Sequence, residues 1–251
     1  MTNPKVAIFG ASSKSAIFFA DVLKSENFAV ETYSSSKQLG SEFRFDLYES
    51  KIPTLNCDYA IYFSWSKIRN QRDQKAAELK ALDFAMGAQR QGVRVIFISS
   101  LASLPKENQS VYGSSKRVAE LGMIKHGHSV VRPGTILSSK DPELSSAMLQ
   151  LQKYRSFVWL YCRVSEKILV PLIGVEAFSA GLLNLIRNFE VGEVNLVDEV
   201  KALENLAGFR NFTVRIPFKW GKILKFFNRG EKTDRLLTLL SVSNWLRENQ
   251  I

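Results

Sequence analysis

The sequence predicts a doubly wound parallel α/β fold, and three observations support this class. Short runs rich in Val, Ile, Phe and Tyr alternate with longer helical patterns through residues 1–135. Several of these runs are almost continuously apolar, which is typical of strands covered by helices on both faces. Strand alternating with helix also favours right-handed crossovers between parallel strands. We therefore expect an α/β core over 1–135 and a small, mainly helical region over 136–251, which packs on the core and includes its late strand and helix.

The elements of the core follow from the apolar runs and their spacing. The clearest helix is predicted from about Arg69 to Gln91, where apolar residues recur on one face and Gly92 supplies a stop. After Thr135 the pattern becomes irregular. The predicted strands span 5–9, 28–33, 59–63, 93–98 and 129–132, and the later helices lie near 142–154, 176–189 and 217–228.

Composition excludes several classes of protein. A hydrophobic content of 45% over 251 residues is that of a globular protein and not of a disordered one. No apolar run approaches the roughly 18 residues that a membrane-spanning helix needs, and the first residues lack the pattern of a secretory signal. Two cysteines offer neither a disulfide framework nor a metal site. We expect a cytoplasmic protein without a bound metal.

The positive charge of the chain is concentrated near its end. The net charge is +10, and residues 201–251 hold ten Lys or Arg against four Asp or Glu. Such a bias indicates an anionic partner, which could be a phosphorylated ligand, a membrane surface or nucleic acid. In the segment 217–229 the apolar and basic residues fall on opposite sides of a helix. That helix could pack on the domain or rest on anionic lipid at the inner membrane surface.

A Gly-Ala-Ser-Ser turn joins the first strand to the first helix. In a doubly wound, Rossmann-like fold this turn holds a pyrophosphate against backbone N–H groups and the positive end of the helix. We expect Gly10, Ser12 and Ser13 to line it, although Ser13 and Ala16 occupy positions where G-x-x-G-x-x-G has glycines. Lys14 adds a cation that suits a phosphate. The alternative is a serine-capped helix that binds no ligand.

The end of the second strand indicates which dinucleotide binds. The stretch "TYSSSK" has no Asp or Glu to bind a ribose 2′-hydroxyl. It offers donors from Ser34 to Lys37, which favour a 2′-phosphate. The predicted cofactor is therefore NADP, with NAD as the alternative.

Tyr112 and Lys116 are four positions apart at the start of a predicted helix, so they share a face. A phenol ionises near pH ~10, and a nearby ammonium group favours the phenolate and lowers its pKa. The pair can therefore serve proton transfer at neutral pH, provided that the fold adds a cofactor and a partner hydroxyl.

These features, in this order, resemble the short-chain dehydrogenase/reductase superfamily. The similarity is greatest to its extended and atypical members, which are related to nucleotide-sugar epimerases and dehydratases, and it covers nearly the whole chain. The matching segments are the phosphate turn, "FRFDL", "YFSWS", "IFISSLAS", "VYGSSK", "VVRPGTIL", "ILVPLIGVEAFSAGLLNLI" and "GEVNLVDE".

The resemblance implies further cofactor contacts. Asp46 and Leu47 would meet the adenine. Ser64 and Trp65 would line the pyrophosphate and the nicotinamide, where the family usually has small residues. Pro133 would lie beside the nicotinamide.

The resemblance also implies the catalytic roles. Tyr112 would exchange a proton with the carbonyl or alcohol while the nicotinamide carries the hydride. Lys116 would lower the pKa of Tyr112 and bond the nicotinamide ribose. Ser100 would hydrogen-bond the substrate oxygen, with Ser99 and Ser103 as fallbacks.

The expected activity is NADP-dependent reduction or epimerisation of a nucleotide-linked or lipid-linked sugar, in surface polysaccharide biosynthesis. Dehydration is disfavoured, because no acidic residue directly follows Ser100. Arg132, Arg155, Arg163 and Lys167 are candidates for holding a diphosphate.

Two other classes remain open. A non-catalytic cofactor-binding sensor or interaction protein is favoured by the degenerate glycine turn and disfavoured by the intact Ser100, Tyr112 and Lys116. A nucleic-acid binder ranks third, because no interleaved aromatic and basic platform is present. By analogy with the superfamily, a homodimer could form through the two helices that hold 69–91 and Tyr112.

Overall fold

The computed structural model describes residues 4–35, 43–48, 52–105, 109–137, 169–202 and 231–250. The helices predicted near 142–154 and 217–228 lie outside the described residues. Among the residues described, no helix is long and apolar enough to cross a membrane.

The described residues form ten strands and five α-helices. The strands are β1 (Lys5–Phe9), β2 (Ala29–Ser34), β3 (Phe43–Arg44), β4 (Tyr59–Tyr62), β5 (Arg94–Ile98), β6 (Ser129–Pro133), β7 (Thr135–Leu137), β8 (Leu169–Gly174), β9 (Gly192–Leu196) and β10 (Glu199–Ala202). The helices are α1 (Lys14–Ser25), α2 (Gln71–Arg90), α3 (Val111–Lys125), α4 (Val175–Arg187) and α5 (Glu231–Glu248), and a 3-10 turn spans Leu101–Ser103.

Seven strands form one parallel sheet in the order β3-β2-β1-β4-β5-β6-β9. The chain builds outward from β1 to β3 and then returns to place β4 on the other side of β1. Ligands of such sheets bind at the carboxyl ends of the strands, beside the point where the order reverses. The predicted doubly wound fold is confirmed, and the site is expected between β1 and β4.

Helices cover the sheet on both faces, which explains the continuous apolar strands. Val6 and Ile8 of β1 point into a core that contains residues of α1 and α4. Ala7 and Phe9 point into a second core, on the side of α2 and α3. Because successive side chains point to opposite faces of a strand, and both faces are covered here, all four residues of "VAIF" must be apolar.

A smaller sheet, in the order β10-β8-β7, lies beyond the end of β6. Gly134 lets the chain step from β6 to β7, because a Cβ there would lie 2.9 Å from the Pro171 carbonyl oxygen. Helix α5 packs against β8, α3 and the 3-10 turn. The chain after residue 135 thus adds β9 to the main sheet as well as the smaller sheet and α5, and its treatment as a separate substrate region stays a prediction.

Candidate active site

The turn after β1 approaches the neighbouring strand closely. Gly10 has φ +81°, and a Cβ there would lie 2.7 Å from the Ser64 backbone nitrogen. Only glycine fits this position without strain. The N–H groups of Gly10 and Ala11 both donate to the Tyr33 carbonyl oxygen, at 2.9 and 3.0 Å. The turn is thereby fixed to the carboxyl ends of β2 and β4.

Ser13 is the N-cap of α1, where its Oγ accepts a hydrogen bond from the Ala16 N–H at 3.3 Å. The side chain at the degenerate position therefore stabilises the start of the helix. Ser12 is half-buried and Lys14, the first residue of α1, is exposed. The positive end of α1 and the Lys14 ammonium group are both suited to an anion at this turn.

The donors expected at the end of β2 differ in accessibility. Ser34 is the last residue of the strand and only 2% exposed, which leaves little of its hydroxyl for a ligand. Ser35 is exposed, and Lys37 lies outside the described residues. Asp46 follows β3 and accepts a hydrogen bond from the Tyr48 N–H at 3.0 Å, while the half-buried Leu47 packs against the core.

Ser64 and Trp65 follow β4, at the wall opposite the Gly10 turn. Ser64 is 7% exposed. The Trp65 indole Nε1 donates to Gln74 Oε1 at 2.8 Å, and Gln74 is itself fully buried in α2. The indole ring is therefore held in one orientation, and its face lies 4.1 Å from Lys116 Nζ.

Lys116 is buried behind this ring. Its Nζ donates to the Ile98 carbonyl oxygen at 2.8 Å and lies 4.6 Å from the Phe97 ring centroid. Its exposed fraction is 2%. Burial lowers the pKa of Lys116 to about 7, and the Glu120 carboxylate opposes that shift. Its contacts are thus an aromatic wall and a backbone carbonyl.

Tyr112 lies in the first turn of α3, and the cation over its ring is an arginine. Arg69 Cζ lies 4.2 Å from the ring centroid. Burial raises the pKa of Tyr112, while the Arg69 charge and a hydrogen bond with the Ser100 side chain lower it. The cation that lowers this pKa in the structure is Arg69, and the role of Lys116 stays a prediction. No motif marks Arg69, which is close to Tyr112 only through the fold.

Ser100 is the serine that meets Tyr112. Its Oγ accepts from the Ala102 N–H at 3.2 Å and caps the 3-10 turn. The fallback Ser99 instead donates to Glu120 Oε1 at 2.6 Å, and Ser103 donates to the Ser100 carbonyl oxygen at 2.8 Å or to Glu120. The structure therefore brings Ser100 to the phenol and turns both fallbacks towards Glu120.

Gly113 explains how Tyr112 comes so close to Ser100. A Cβ at Gly113 would overlap the Ala102 carbonyl oxygen of the 3-10 turn. The missing side chain lets α3 pack directly on the turn that follows Ser100. The glycine in "VYGSSK" thus has a packing role that the Tyr-x-x-x-Lys pattern does not show.

Arg132 belongs to a buried charge network and not to a diphosphate site. Its guanidinium donates to Glu120 at 2.9 and 2.7 Å and pairs with Glu193 at 2.7 Å. Arg132 is 2% exposed and Glu120 is fully buried. The interpretation of Arg132 as a diphosphate ligand is wrong, because its guanidinium is buried and already paired with the carboxylates of Glu120 and Glu193. Arg155, Arg163 and Lys167 lie outside the described residues.

A cavity of about 340 Å³ opens beside the phenol, between the carboxyl end of the sheet and α5. Ser100, Tyr112 and Pro133 are among the residues that line it. Arg69, which lies over the Tyr112 ring, and Arg235 add positive charge to the lining. The remaining wall is largely apolar and consists of Ser99, Leu101, Ala102, Gly134, Thr135, Ile136, Val170, Pro171, Thr238, Leu239 and Val242. In the described part of the chain, no group of three or more His, Cys, Asp or Glu could hold a metal ion.

The Gly10 turn, Ser100 and Pro133 thus all lie at the carboxyl ends of strands in a doubly wound parallel sheet. No protein-family model and no curated protein matches the sequence. Solved structures do match. The chain aligns with a short-chain dehydrogenase/reductase superfamily protein from Agrobacterium tumefaciens, solved with bound NAD, at a TM-score of 0.66 and 14% identity, over 98% of this chain and 100% of that one.

Two sugar epimerases have the same fold. The ADP-L-glycero-D-manno-heptose-6-epimerase of Helicobacter pylori aligns at a TM-score of 0.64 and 13% identity, over 81% of this chain and 80% of that one. The UDP-glucose 4-epimerase of Thermotoga maritima, solved with UDP-glucose, aligns at 0.61 and 13%, over 98% and 100%. The protein therefore has the fold of the short-chain dehydrogenase/reductase superfamily, as its motifs predict.

Proposed function

We propose that the protein is an NADP-dependent reductase or epimerase of a nucleotide-linked or lipid-linked sugar. The observation that carries the proposal is that Ser100 and Tyr112 line the same cavity, beside the carboxyl ends of the strands. A phenol and a hydroxyl that converge on one point can both bond the oxygen of a reacting carbonyl or alcohol.

Tyr112 and Ser100 have different roles at that oxygen. Tyr112 Oη donates a proton to a carbonyl oxygen during reduction and accepts it back when an alcohol is oxidised. Ser100 Oγ bonds the same oxygen and stabilises its developing charge. A bound nicotinamide supplies or accepts the hydride. Epimerisation uses both directions in turn, and reduction uses one.

The residues around the Gly10 turn fit a dinucleotide. A Cβ at Gly10 would lie 2.7 Å from the Ser64 backbone nitrogen, so glycine is what lets this turn pack directly on the chain after β4. Ser12, Ser13 and Lys14 would bind the pyrophosphate, and Asp46 and Leu47 the adenine side. Ser64, Trp65 and Pro133 would line the nicotinamide side. Lys14 and the exposed Ser35 support a preference for NADP, and Lys37 would extend that set.

The sugar assignment draws on the comparisons. Heptose and glucose epimerases share the fold, and the second of them was solved with a nucleotide sugar. Arg235, at the cavity wall, suits the phosphate of such a substrate. The product would feed surface polysaccharide biosynthesis in the cytoplasm, with 217–229 resting on anionic lipid. That segment lies outside the described residues.

A homodimer forms part of the same proposal. Leu79 of α2 is 50% exposed, and Val118 and Leu121 of α3 are 42% and 53% exposed. Helices α2 and α3 pack side by side, so these side chains can be covered by the same pair of helices in a second copy.

A non-catalytic cofactor-binding protein is the second candidate, and one observation favours it. Lys116 Nζ bonds the Ile98 carbonyl oxygen behind Trp65, so a contact with the nicotinamide ribose needs the indole to move. A protein that only senses the cofactor would bind it without using Lys116 in this way.

Substitution of Tyr112 by Phe tests the proposal. Nucleotide sugars are incubated with NADPH or with catalytic NADP, and reduction or epimerisation is followed by chromatography. Tyr112→Phe should reduce turnover by roughly 10²–10⁴-fold, the usual worth of a positioned acid–base group, with cofactor affinity retained. Ser100→Ala should also lower turnover, and Ser114→Ala, at an exposed position of α3, serves as the comparison. Wild-type turnover in Tyr112→Phe would contradict the catalytic role of Tyr112 and favour the cofactor-sensor function.

A further inference from the structure

Arg69 is held over Tyr112 by the C-terminal helix. Its NH1 group donates to Thr238 Oγ1 at 3.1 Å and lies 3.7 Å from Asp234 Oδ2. The guanidinium carbon lies 4.2 Å from the Tyr112 ring centroid. Arg69 precedes α2, Tyr112 is in α3, and both partners of Arg69 are in α5, so three separate parts of the chain meet at the phenol.

The same two residues of α5 fix the start of α3. Asp234 is fully buried, and its Oδ1 accepts a hydrogen bond from the Val111 N–H at 2.6 Å. Thr238 Oγ1 lies 2.8 Å from Ser110 Oγ, and Ser110 is the N-cap of α3. Helix α5 therefore positions both the residue that carries the phenol and the cation above it.

Charged groups surround the phenol from three parts of the chain: α3, the segment before α2, and α5. Lys116 and Glu120 come from α3 itself, Arg69 from the segment before α2, and Asp234 and Arg235 from α5. Of these, Arg69 contacts the ring face, whereas the Lys116 amine is enclosed by Trp65, Phe97 and a carbonyl. A guanidinium group stays charged at all relevant pH values, while a buried amine does not.

We infer that Arg69, clamped by Asp234 and Thr238 of α5, is the residue that positions Tyr112 and supplies the positive charge that stabilises its phenolate. For its catalytic meaning this inference rests on the proposed function. Stacking against the ring fixes the ring plane, and the positive charge favours the ionised phenol. The C-terminal helix is then part of the proton-transfer apparatus, although none of its residues belongs to the Tyr-Lys-Ser pattern.

The phenol can be titrated without any substrate. With 3,5-difluorotyrosine at position 112, whose phenol is more acidic than that of tyrosine, the ¹⁹F chemical shift against pH reports this one group in the folded protein. Arg69→Gln removes the charge and keeps an amide donor, on a side chain two atoms shorter than that of arginine. It should raise the midpoint by about one pH unit, because an opposite charge at this distance lowers a pKa by one to three units.

Two further variants and one control complete the test. Arg69→Lys restores a charge and should return the midpoint most of the way to wild type. Thr238→Val removes one hydrogen bond to Arg69 and should give a smaller rise. Arg94→Ala is the control, since Arg94 Cζ lies 5.7 Å from the Tyr59 ring and its NH1 donates to the Tyr59 hydroxyl, at the opposite end of the sheet. It should leave the midpoint at position 112 unchanged.

An unchanged or lower midpoint in Arg69→Gln would overturn the inference. If Arg69→Gln does not fold, an unchanged titration midpoint in Thr238→Val would also overturn the inference. Once turnover is measurable, the limb of the kcat/KM profile that reports Tyr112 should move with the ¹⁹F midpoint. Because the titration needs no turnover, a failure of the proposed function and a failure of the role of Arg69 are seen separately.

Discussion

The buried amine of Lys116 shows how strongly one residue depends on its surroundings. It is 2% exposed and enclosed by Trp65, Phe97 and the Ile98 carbonyl group. Burial disfavours the charged form, so the pKa of Lys116 falls from its ordinary value of 10.5 to about 7. The cation–π contacts and the Glu120 carboxylate offset only part of that cost.

This pKa makes the stability of the fold depend on pH. Below pH 7 the amine is charged in both the folded and the unfolded chain, and the full cost of burying the charge is present. Between about pH 7 and 10.5 the folded state is neutral while the unfolded state is still protonated, so the free energy of unfolding rises with pH. Above pH 10.5 the amine is neutral in both states, so no cost of burying the charge remains.

Lys116→Met should therefore stabilise the protein, and more so at low pH. We expect a gain of roughly 1–4 kcal/mol in the free energy of unfolding at pH 6, the range seen when buried charges are replaced by apolar groups, and a smaller gain at pH 9. Urea denaturation at both pH values measures it. Lys201→Met, at a side chain that is 47% exposed, is the control. Equal destabilisation of Lys116→Met at both pH values would contradict the prediction.

At the scale of the elements, the site depends on how α3 meets the 3-10 turn and α5. Gly113 allows α3 to touch the Ala102 carbonyl group, and Ser110 and Asp234 satisfy the N–H groups of Gly113 and Val111 at the start of the helix. Free N–H groups in a first turn need such partners. Tyr112 is thus held between two fixed neighbours in the first turn of a capped helix.

Gly113→Ala separates two opposing effects. Helix propensity alone favours alanine by about 1 kcal/mol. The added methyl group, however, meets a backbone oxygen that cannot move without shifting the turn, and overpacking of this kind costs roughly 1–3 kcal/mol. We expect a net loss of stability in thermal or urea unfolding, together with a loss of the contact between Ser100 and Tyr112. Ser114→Ala, at the exposed neighbouring position, should be nearly neutral. A stabilised Gly113→Ala would show that α3 does not pack so tightly on the turn.

At the scale of the whole molecule, the sheet places the phosphate turn and the phenol at one edge. The turn follows β1, Ser100 follows β5 and Pro133 ends β6, so all three lie at the carboxyl ends of parallel strands. The net charge of +10 adds a general attraction for anionic ligands.

Cofactor preference should follow from the charges at this edge. We expect NADPH to bind more tightly than NADH in a fluorescence titration, and Lys14→Ala to narrow the ratio by roughly tenfold, which corresponds to about 1.4 kcal/mol. Lys24→Ala changes the same charge at the other end of α1 and is the matched control. Tighter binding of NADH by the wild-type protein would refute the assignment of NADP.

Those features that depend on neighbouring residues in the chain could be predicted from the sequence. The periods of apolar residues predict β1, β2, β4, β5 and β6 and the helix at 71–90 to within two residues of their ends, because strand and helix periods follow directly from backbone geometry. The two-residue strand β3 is not among the predicted strands. The turn at Gly10 and the shared face of Tyr112 and Lys116 follow from the same local rules.

Only the tertiary structure decided which side chains meet across the fold. It placed Arg69 over Tyr112, enclosed Lys116 behind Trp65, and paired Arg132 with Glu120 and Glu193. These partners come from different elements, and a pattern of neighbouring residues contains no signal for them. Whether a charged side chain faces a ligand or an opposite charge depends on burial and packing, which are set only when the strands and helices have assembled.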